Sequence, residues 1–129
     1  MHYVLDSTVL IDHLRGKPVT RRLRALQASG DLLSTTAINV EEVVRGLRAA
    51  ERRAVHRLFR GLLLLPLGAD EGWRAGDWRR SFAQTGITLS QADCLIAAAT
   101  FSIGGVLATG NPDDFPMHGL KVEHWPVGQ

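Results

Sequence analysis

Four acidic residues lie far apart in the sequence, and each falls where a strand is predicted to end or a helix to begin. They are Asp6, Glu42, Asp93 and Asp114. Carboxylates that meet in a fold repel one another unless a hard cation lies between them, because Mg²⁺ and Mn²⁺ prefer oxygen ligands. Each acid also has a structural explanation, since acids stabilise helix N-termini and turns. The joint pattern favours a metal-dependent enzyme.

Strands and helices are predicted to alternate around these acids. The run Tyr3-Val4-Leu5 is a short strand ending at Asp6, and Ser7 opens a helix that Gly16 stops. The further predicted strands are residues 32–34, 62–67, 106–108 and 120–124. Alternation favours an α/β fold with a central parallel sheet of about four to five short strands and helices on both faces. Ligands bind at the carboxyl edge of such a sheet, where Asp6 and the turn at 111–114 should meet.

The other two acids belong to predicted helix starts. Asn39 is predicted as the N-cap of one long helix that contains Glu42 and reaches about Phe59. Ser90 is predicted to cap an apolar helix, residues 91–101, with Asp93 at its third position. A helix is also predicted for residues 69–82, carrying two tryptophans.

The long helix carries six arginines on the side opposite its valines and leucines, at about 100° per residue. They are Arg45, Arg48, Arg52, Arg53, Arg57 and Arg60. Such a stripe is often only a solvated face. The alternatives are a track for an RNA backbone, which would give a steep salt dependence, and a landing surface for an acidic protein segment.

Composition sets the remaining bounds. The 129 residues suit one domain spanning 1–129, and 45% hydrophobic with 22% charged residues is typical of globular proteins. The single Cys94 excludes an internal disulfide and fits a reducing compartment. No signal peptide is evident, and no apolar run approaches the ~20 residues of a membrane-spanning helix. We therefore expect a cytoplasmic protein without a membrane partner.

Four segments that contain these acids follow one another along the chain: residues 4–12 (VLDSTVLID), 42–46 (EVVRG), 92–98 (ADCLIAA) and 107–115 (LATGNPDDF). In this order they resemble the PIN domain family, and within it the VapC-type toxins of bacterial and archaeal toxin-antitoxin modules. The resemblance implies a single PIN-like domain and a Mg²⁺- or Mn²⁺-dependent endoribonuclease, in which a metal-bound water attacks the scissile phosphorus. It also implies a cognate VapB-type antitoxin and a homodimer.

The resemblance assigns roles to the acids. Asp6, Glu42 and Asp93 form the implied acidic core, with Asp6 and Asp93 as metal ligands. For Glu42 the resemblance implies that it binds a second ion or orients the water. It is chosen over the adjacent Glu41 because the motif places its acid four residues before a glycine, here Gly46.

The fourth acidic position is open. Similar domains often carry an acid where this chain has Asn111, so Asp114, Asp113 or a water held by Asn111 fills the role, and Asp114 is the implied choice. Residues implied to contact substrate are Thr8, Thr109, Asn111 and Arg45. The alternative for the two threonines is that their hydroxyls satisfy local backbone groups.

Two other functions compete. A phosphatase with Asp6 as nucleophile would want a second acid where Thr8 stands, and the only lysines, Lys17 and Lys121, suit its later motif poorly. A non-catalytic PIN-like module would bind RNA or protein without cleavage. Divalent-dependent cutting separates that module from the nuclease.

Overall fold

The computed structural model describes residues 1–16 and 18–128, and within these it contains one five-stranded sheet. The strands are β1 (His2–Leu5), β2 (Leu32–Thr35), β3 (Leu63–Leu64), β4 (Val106–Thr109) and β5 (Lys121–His124). Their order is β3-β2-β1-β4-β5, and every neighbouring pair is parallel. The predicted α/β class and parallel sheet are confirmed.

Six helices connect the strands in the described part of the chain. They are α1 (Ser7–Leu14), α2 (Val19–Ala28), α3 (Ala37–Arg45), α4 (Arg52–Arg60), α5 (Ala69–Ala83) and α6 (Gln91–Ser102). Short 3₁₀ turns cover Ala49–Glu51 and Pro112–Asp114. No helix among the described residues is long and apolar enough to cross a membrane.

The sheet separates two hydrophobic clusters. Tyr3 and Leu5 of β1 pack on one side with residues of α1, α2 and α4, whereas Val4 packs on the other side with residues of α5 and α6. Because successive side chains of a strand point to opposite faces, residues 3–5 of β1 are apolar and buried on both sides of the sheet. Helices therefore cover both faces, as predicted.

The chain progresses from β1 outward to β3 on one side and then returns to β4 on the other side of β1. Such a reversal creates a crevice at the carboxyl ends of the two central strands. Leu5 is in register with Ala108, and the Asp6 N–H donates to the Ala108 carbonyl at 3.0 Å. The register brings Asp6 beside Thr109 at that crevice.

The prediction of one long helix that begins after Asn39 and reaches about Phe59 is wrong, because α3 ends at Arg45 and α4 begins at Arg52. Gly46 follows α3 directly, and glycine is a poor helix former that readily ends a helix. A new start forms where the Arg48 N–H donates to the Glu51 carboxylate at 2.7 Å. The predicted arginine stripe is thus divided between two separate helices.

Asn39 is not an N-cap. The cap of α3 is Thr36, whose hydroxyl accepts from the Asn39 N–H while the Asn39 side chain accepts from the Thr36 N–H. This reciprocal pair is a capping box with asparagine at the third helical position. Asn39 is consequently fully buried inside α3 and free to serve the site from there.

The other predicted elements agree closely with the structure. The exception is the strand over residues 62–67, which shrinks to Leu63–Leu64, because Pro66 has no N–H to donate to a sheet. The predicted turn at 111–114 contains the 3₁₀ segment Pro112–Asp114.

Candidate active site

Asp6 is the buried centre of the crevice, with only 6% of its surface exposed. Its Oδ2 accepts hydrogen bonds from the hydroxyls of Thr109 (2.7 Å) and Thr8 (3.2 Å). Its Oδ1 accepts from the Asn39 amide at 3.4 Å. Groups from β4, α1 and α3 therefore fix the position of this carboxylate.

A chain of polar side chains links Asp6 to Glu42. The Asn39 amide donates to the Ser7 hydroxyl at 2.9 Å, and that hydroxyl donates to Glu42 Oε1 at 2.7 Å. The Thr36 hydroxyl donates to Asn39 Oδ1 at 2.8 Å, which turns the amide nitrogen toward Ser7 and Asp6. Glu42 is thus held at the crevice, whereas the neighbouring Glu41 is exposed and forms a 3.9 Å ion pair with Arg45.

Asp93 reaches the site from the first turn of α6. Its N–H donates to the Ser90 hydroxyl at 3.0 Å, which confirms the predicted cap. Burial raises the pKa of the Asp93 carboxyl, the Ser90 hydroxyl opposes this, and the negative charges of Asp114, Asp6 and Glu42 raise it further. Asp93 therefore shares one electrostatic environment with the other three acids.

Burial also raises the pKa of Asp6, against the opposing hydrogen bonds from Thr109, the Ser7 backbone and Thr8. The charge of Asp114 adds to the rise. A carboxylate that is both desolvated and close to other negative charges is stabilised by a cation or by protonation. Either would offset the cost of burying the charge of Asp6.

The segment after β4 separates the candidates for the fourth acid. Asn111, Asp113 and Asp114 are all exposed, and the last two lie in the 3₁₀ turn. The charge of Asp114 acts on both Asp6 and Asp93, whereas that of Asp113 is absent from the causes of either shift. The charge of Asp114 therefore contributes to the raised pKa of both acids, which favours Asp114 over Asp113 as the fourth acid.

The acids are close enough to interact but do not converge on one point. Among residues 1–16 and 18–128, no three His, Cys, Asp or Glu side chains form a complete metal-binding group as they stand. Asp114 is exposed and Asp93 is half-buried. The donor set, carboxylate oxygens alone, is the type that Mg²⁺ and Mn²⁺ prefer.

The residues predicted to contact substrate fall into two groups. Thr109 is fully buried, and its hydroxyl both donates to Asp6 and accepts from the Asn111 N–H at 3.0 Å. Thr8 likewise donates to Asp6 and accepts from the Gly110 N–H at 2.9 Å. In this structure both threonine hydroxyls are therefore engaged with Asp6 and with backbone N–H groups of the loop after β4. Asn111 and Arg45 are exposed.

Sequence reasoning missed three residues that organise the site, namely Ser7, Thr36 and Asn39. The available signal was that Asn39 and Glu42 are three residues apart, which places them on the same side of a helix. The contact of both residues with Ser7 joins segments more than 30 residues apart, and local patterns do not report such contacts.

A parallel α/β sheet with acids at the crevice beside its first strand is the arrangement expected for the nuclease family that the motifs resemble. The chain belongs to the PIN domain family, whose sequence model matches residues 3–117. It is similar to Ribonuclease VapC10 of Mycobacterium tuberculosis (strain ATCC 25618 / H37Rv), with 34% identity over 114 residues, 88% of this chain and 86% of the relative. The resemblance to VapC-type proteins is thereby confirmed.

Solved structures share the same fold. VapBC2 from Rickettsia felis, bound to a DNA fragment from its promoter, matches 97% of this chain and 99% of the compared chain, with a TM-score of 0.82 and 21% identity. A toxin-antitoxin complex from Klebsiella pneumoniae matches 97% of this chain and 99% of the compared chain, with a TM-score of 0.73 and 21% identity.

Proposed function

We propose that this protein is a Mg²⁺- or Mn²⁺-dependent endoribonuclease, the toxin of a VapBC-type toxin-antitoxin module. The observation that carries the proposal is the environment of the buried Asp6. Both of its carboxylate oxygens accept hydrogen bonds, and burial together with the negative charge of Asp114 raises its pKa. Membership of the PIN domain family and similarity to a protein named as a ribonuclease support RNA as the substrate.

Asp6 and Asp93 would hold the metal ion, with Glu42 as a further ligand or as the group that orients the attacking water. When bound, the ion would acidify that water and neutralise charge on the phosphate. Thr109 and Asn39 keep Asp6 aimed into the crevice, and Ser7 does the same for Glu42. Asp114 supplies negative charge from the exposed side and is the proposed fourth acid.

Exposed groups beside the acids are available for RNA. Asn111 lies two residues after the end of β4, and Arg45 lies one helical turn after Glu42. Arg45 is paired with Glu41 only at 3.9 Å and in solvent, where an ion pair contributes little, so a phosphate can displace Glu41. We assign to Asn111 and Arg45 the contact with the RNA backbone.

A groove between α1, α2 and α4 suits the antitoxin. It has a volume of about 550 Å³, is lined by the leucines Leu14, Leu23, Leu58 and Leu62, and also contains Arg24 and Arg57. Apolar side chains flanked by carboxylates would complement such a surface. The VapBC2 structure supports a VapB-type partner for this chain.

A homodimer is part of the proposal. Trp73 on α5 is 75% exposed, which is unusual for so large an apolar side chain. Gly72 and Gly76 lie on the same exposed face of α5 as Trp73. Two charged residues lie towards opposite ends of this helix, Asp70 near its start and Arg80 near its end. Two antiparallel copies of α5 would seat each tryptophan over the other's Gly76 and bring Asp70 near Arg80.

The test is to incubate total RNA with wild-type protein and with Asp6→Asn, each with Mg²⁺ and with EDTA, and to map the new ends. We expect discrete cuts only for the wild type with Mg²⁺. RNA binding without cutting in any condition would favour the non-catalytic module instead. Cutting by Asp6→Asn would remove Asp6 from the mechanism.

A further inference from the structure

The segment that follows β5, residues 125–128, runs alongside the loop that holds Asp6. The Trp125 N–H donates to the Thr109 carbonyl at 2.8 Å, which continues the pairing of β4 with β5. The Trp125 side chain is almost fully buried, with the guanidinium of Arg22 4.3 Å from its ring centre. Trp125 therefore packs beside the loop that follows β4.

One face of α1 contacts both the loop that follows β4 and residues 125–128. Thr8 and Asp12 are four residues apart and therefore neighbours on that face. Thr8 Oγ1 accepts from the Gly110 N–H at 2.9 Å, and Asp12 Oδ1 accepts from the Gly128 N–H at 3.0 Å. Asp12 is buried, and across the described residues its second oxygen has no hydrogen-bond partner.

Val127 packs against Gly110, whose N–H forms the first of these two hydrogen bonds. A Cβ atom added to Gly110 would lie 2.8 and 2.9 Å from the two methyl groups of Val127 and 3.4 Å from Thr8 Oγ1. Contacts below 3.0 Å are forbidden to real side chains, so Val127 rests directly against the Gly110 backbone. Gly110 is consequently held between Thr8 on one side and residues 125–128 on the other.

We infer that residues 125–128, anchored on Asp12, act as a clamp that positions Thr109 and Gly110 and thereby keeps the Thr109 hydroxyl on Asp6. Asp12 touches neither substrate nor the reacting groups and is a positioning residue. The inference deepens the proposed function, on which its consequences for cutting rest. Outer partners of metal-ligating groups typically influence metal affinity or activity, which is the effect expected here.

The first experiment compares Asp12→Ala with Asp12→Asn, which retains an oxygen for the Gly128 N–H. Amide hydrogen exchange is measured at Gly110 and Asn111 in metal-free protein. We expect Asp12→Ala to lose protection at both amides by roughly tenfold, and Asp12→Asn to stay near wild type. Asp31→Ala, which removes a carboxylate paired with the N-terminus, is the control and should change neither amide.

The same variants are then tested for Mn²⁺ binding by electron paramagnetic resonance and for RNA cleavage. Asp12→Ala should weaken Mn²⁺ binding by about tenfold and lower kcat while leaving KM for RNA unchanged. If the Gly128 amide of Asp12→Ala loses its protection from exchange while the Gly110 amide stays as protected as in the wild type, the clamp is overturned. Because exchange is read without metal or RNA, a protein that never cleaves RNA would refute the proposed function and leave the clamp intact.

A second pair of variants covers the case in which Asp12→Ala does not fold. Gly110→Ala alone should displace Val127 and expose the Gly110 and Asn111 amides, because the new methyl group occupies its space. Val127→Ala added to Gly110→Ala should restore protection, since the clashing methyl groups are gone. Unchanged protection in the Gly110→Ala single variant would overturn the contact on which the clamp depends.

Discussion

The hydroxyl of Thr109 donates a 2.7 Å hydrogen bond to Oδ2 of Asp6, across 103 residues of sequence. This contact joins the ends of β1 and β4, the two strands on either side of the crevice. Because Thr109 is fully buried and accepts a second hydrogen bond from Asn111, its hydroxyl is a fixed part of the protein. The most buried acid of the site is therefore oriented by the sheet itself.

Thr109→Val should destabilise the protein by about 1 to 3 kcal/mol, because the nearly isosteric valine leaves Asp6 Oδ2 with only the longer hydrogen bond from Thr8 and removes the partner of the Asn111 N–H. Urea denaturation measures the loss. Thr100→Val is the matched control: Thr100 is equally buried, but its hydroxyl donates to the Ile96 carbonyl inside α6. Equal losses for the two variants would show that Asp6 gains nothing special from Thr109.

Asp6→Asn should stabilise the metal-free protein at neutral pH while abolishing cutting. Burial raises the pKa of Asp6 above its unfolded value of 3.8. The protonated carboxyl therefore stabilises the folded state below pH 3.8, and this contribution is lost as the pH rises through the folded pKa. The variant's advantage in thermal midpoint should therefore be largest near neutral pH and shrink in acid. Both proteins are melted in EDTA across this pH range.

Asp77→Asn, an exposed change on α5, controls for the loss of one surface charge in that experiment. A thermal midpoint for Asp6→Asn below that of the wild type at neutral pH would contradict the assignment of Asp6 as a destabilising buried charge.

Asn39→Asp should destabilise the protein by about 3 kcal/mol or more at neutral pH, because it replaces a donor to Asp6 and Ser7 with a buried negative charge. The measurement is chemical denaturation at neutral and mildly acidic pH, and the loss should be smaller in acid. Gln27→Glu, an exposed amide-to-acid change on α2, is the control. A variant as stable as the wild type would mean that the Asn39 amide does not face Asp6.

Trp73→Glu should convert a dimer into a monomer if the exposed face of α5 joins two copies, because a carboxylate cannot be buried against the second helix. Sedimentation velocity at several concentrations measures the mass. Ile87→Glu, which changes another exposed apolar residue outside that face, should leave the mass unchanged. A monomeric wild type would show the homodimer prediction to be wrong.

Much of the fold was readable in the sequence because the deciding interactions are local. The strand before Asp6, the helix after it and the Ser90 cap that carries Asp93 each depend on neighbours within a few residues. Alternating strands and helices then allowed only a parallel sheet, which put the end of β1 and the end of β4 at one edge. For the same reason, the sequence segments that resemble the PIN domain family contain these acids.

Local sequence patterns gave wrong predictions where the same residues fit two different local structures. Asn39 suits an N-cap as well as it suits the third position of a capping box, and the long-range hydrogen bonds of the buried Asn39 with Asp6 and Ser7 favour the second. Likewise, the amphipathic pattern from Glu42 to Arg60 fits a continuous helix, yet Gly46 and the new start at Glu51 break it. The periodicity of side chains records which face is apolar and not whether the backbone is continuous.

The sequence by itself determined the order of most strands and helices and placed the four candidate acids at their ends, because propensity, capping and hydrophobic period act over a few residues. Only the tertiary structure decided that Ser7 links Asn39 to Glu42, that the charge of Asp114 rather than Asp113 reaches Asp6, and that Asp12 holds Gly128. These contacts join segments up to 116 residues apart. They depend on how the helices pack across the sheet, which is settled by the burial of the whole core.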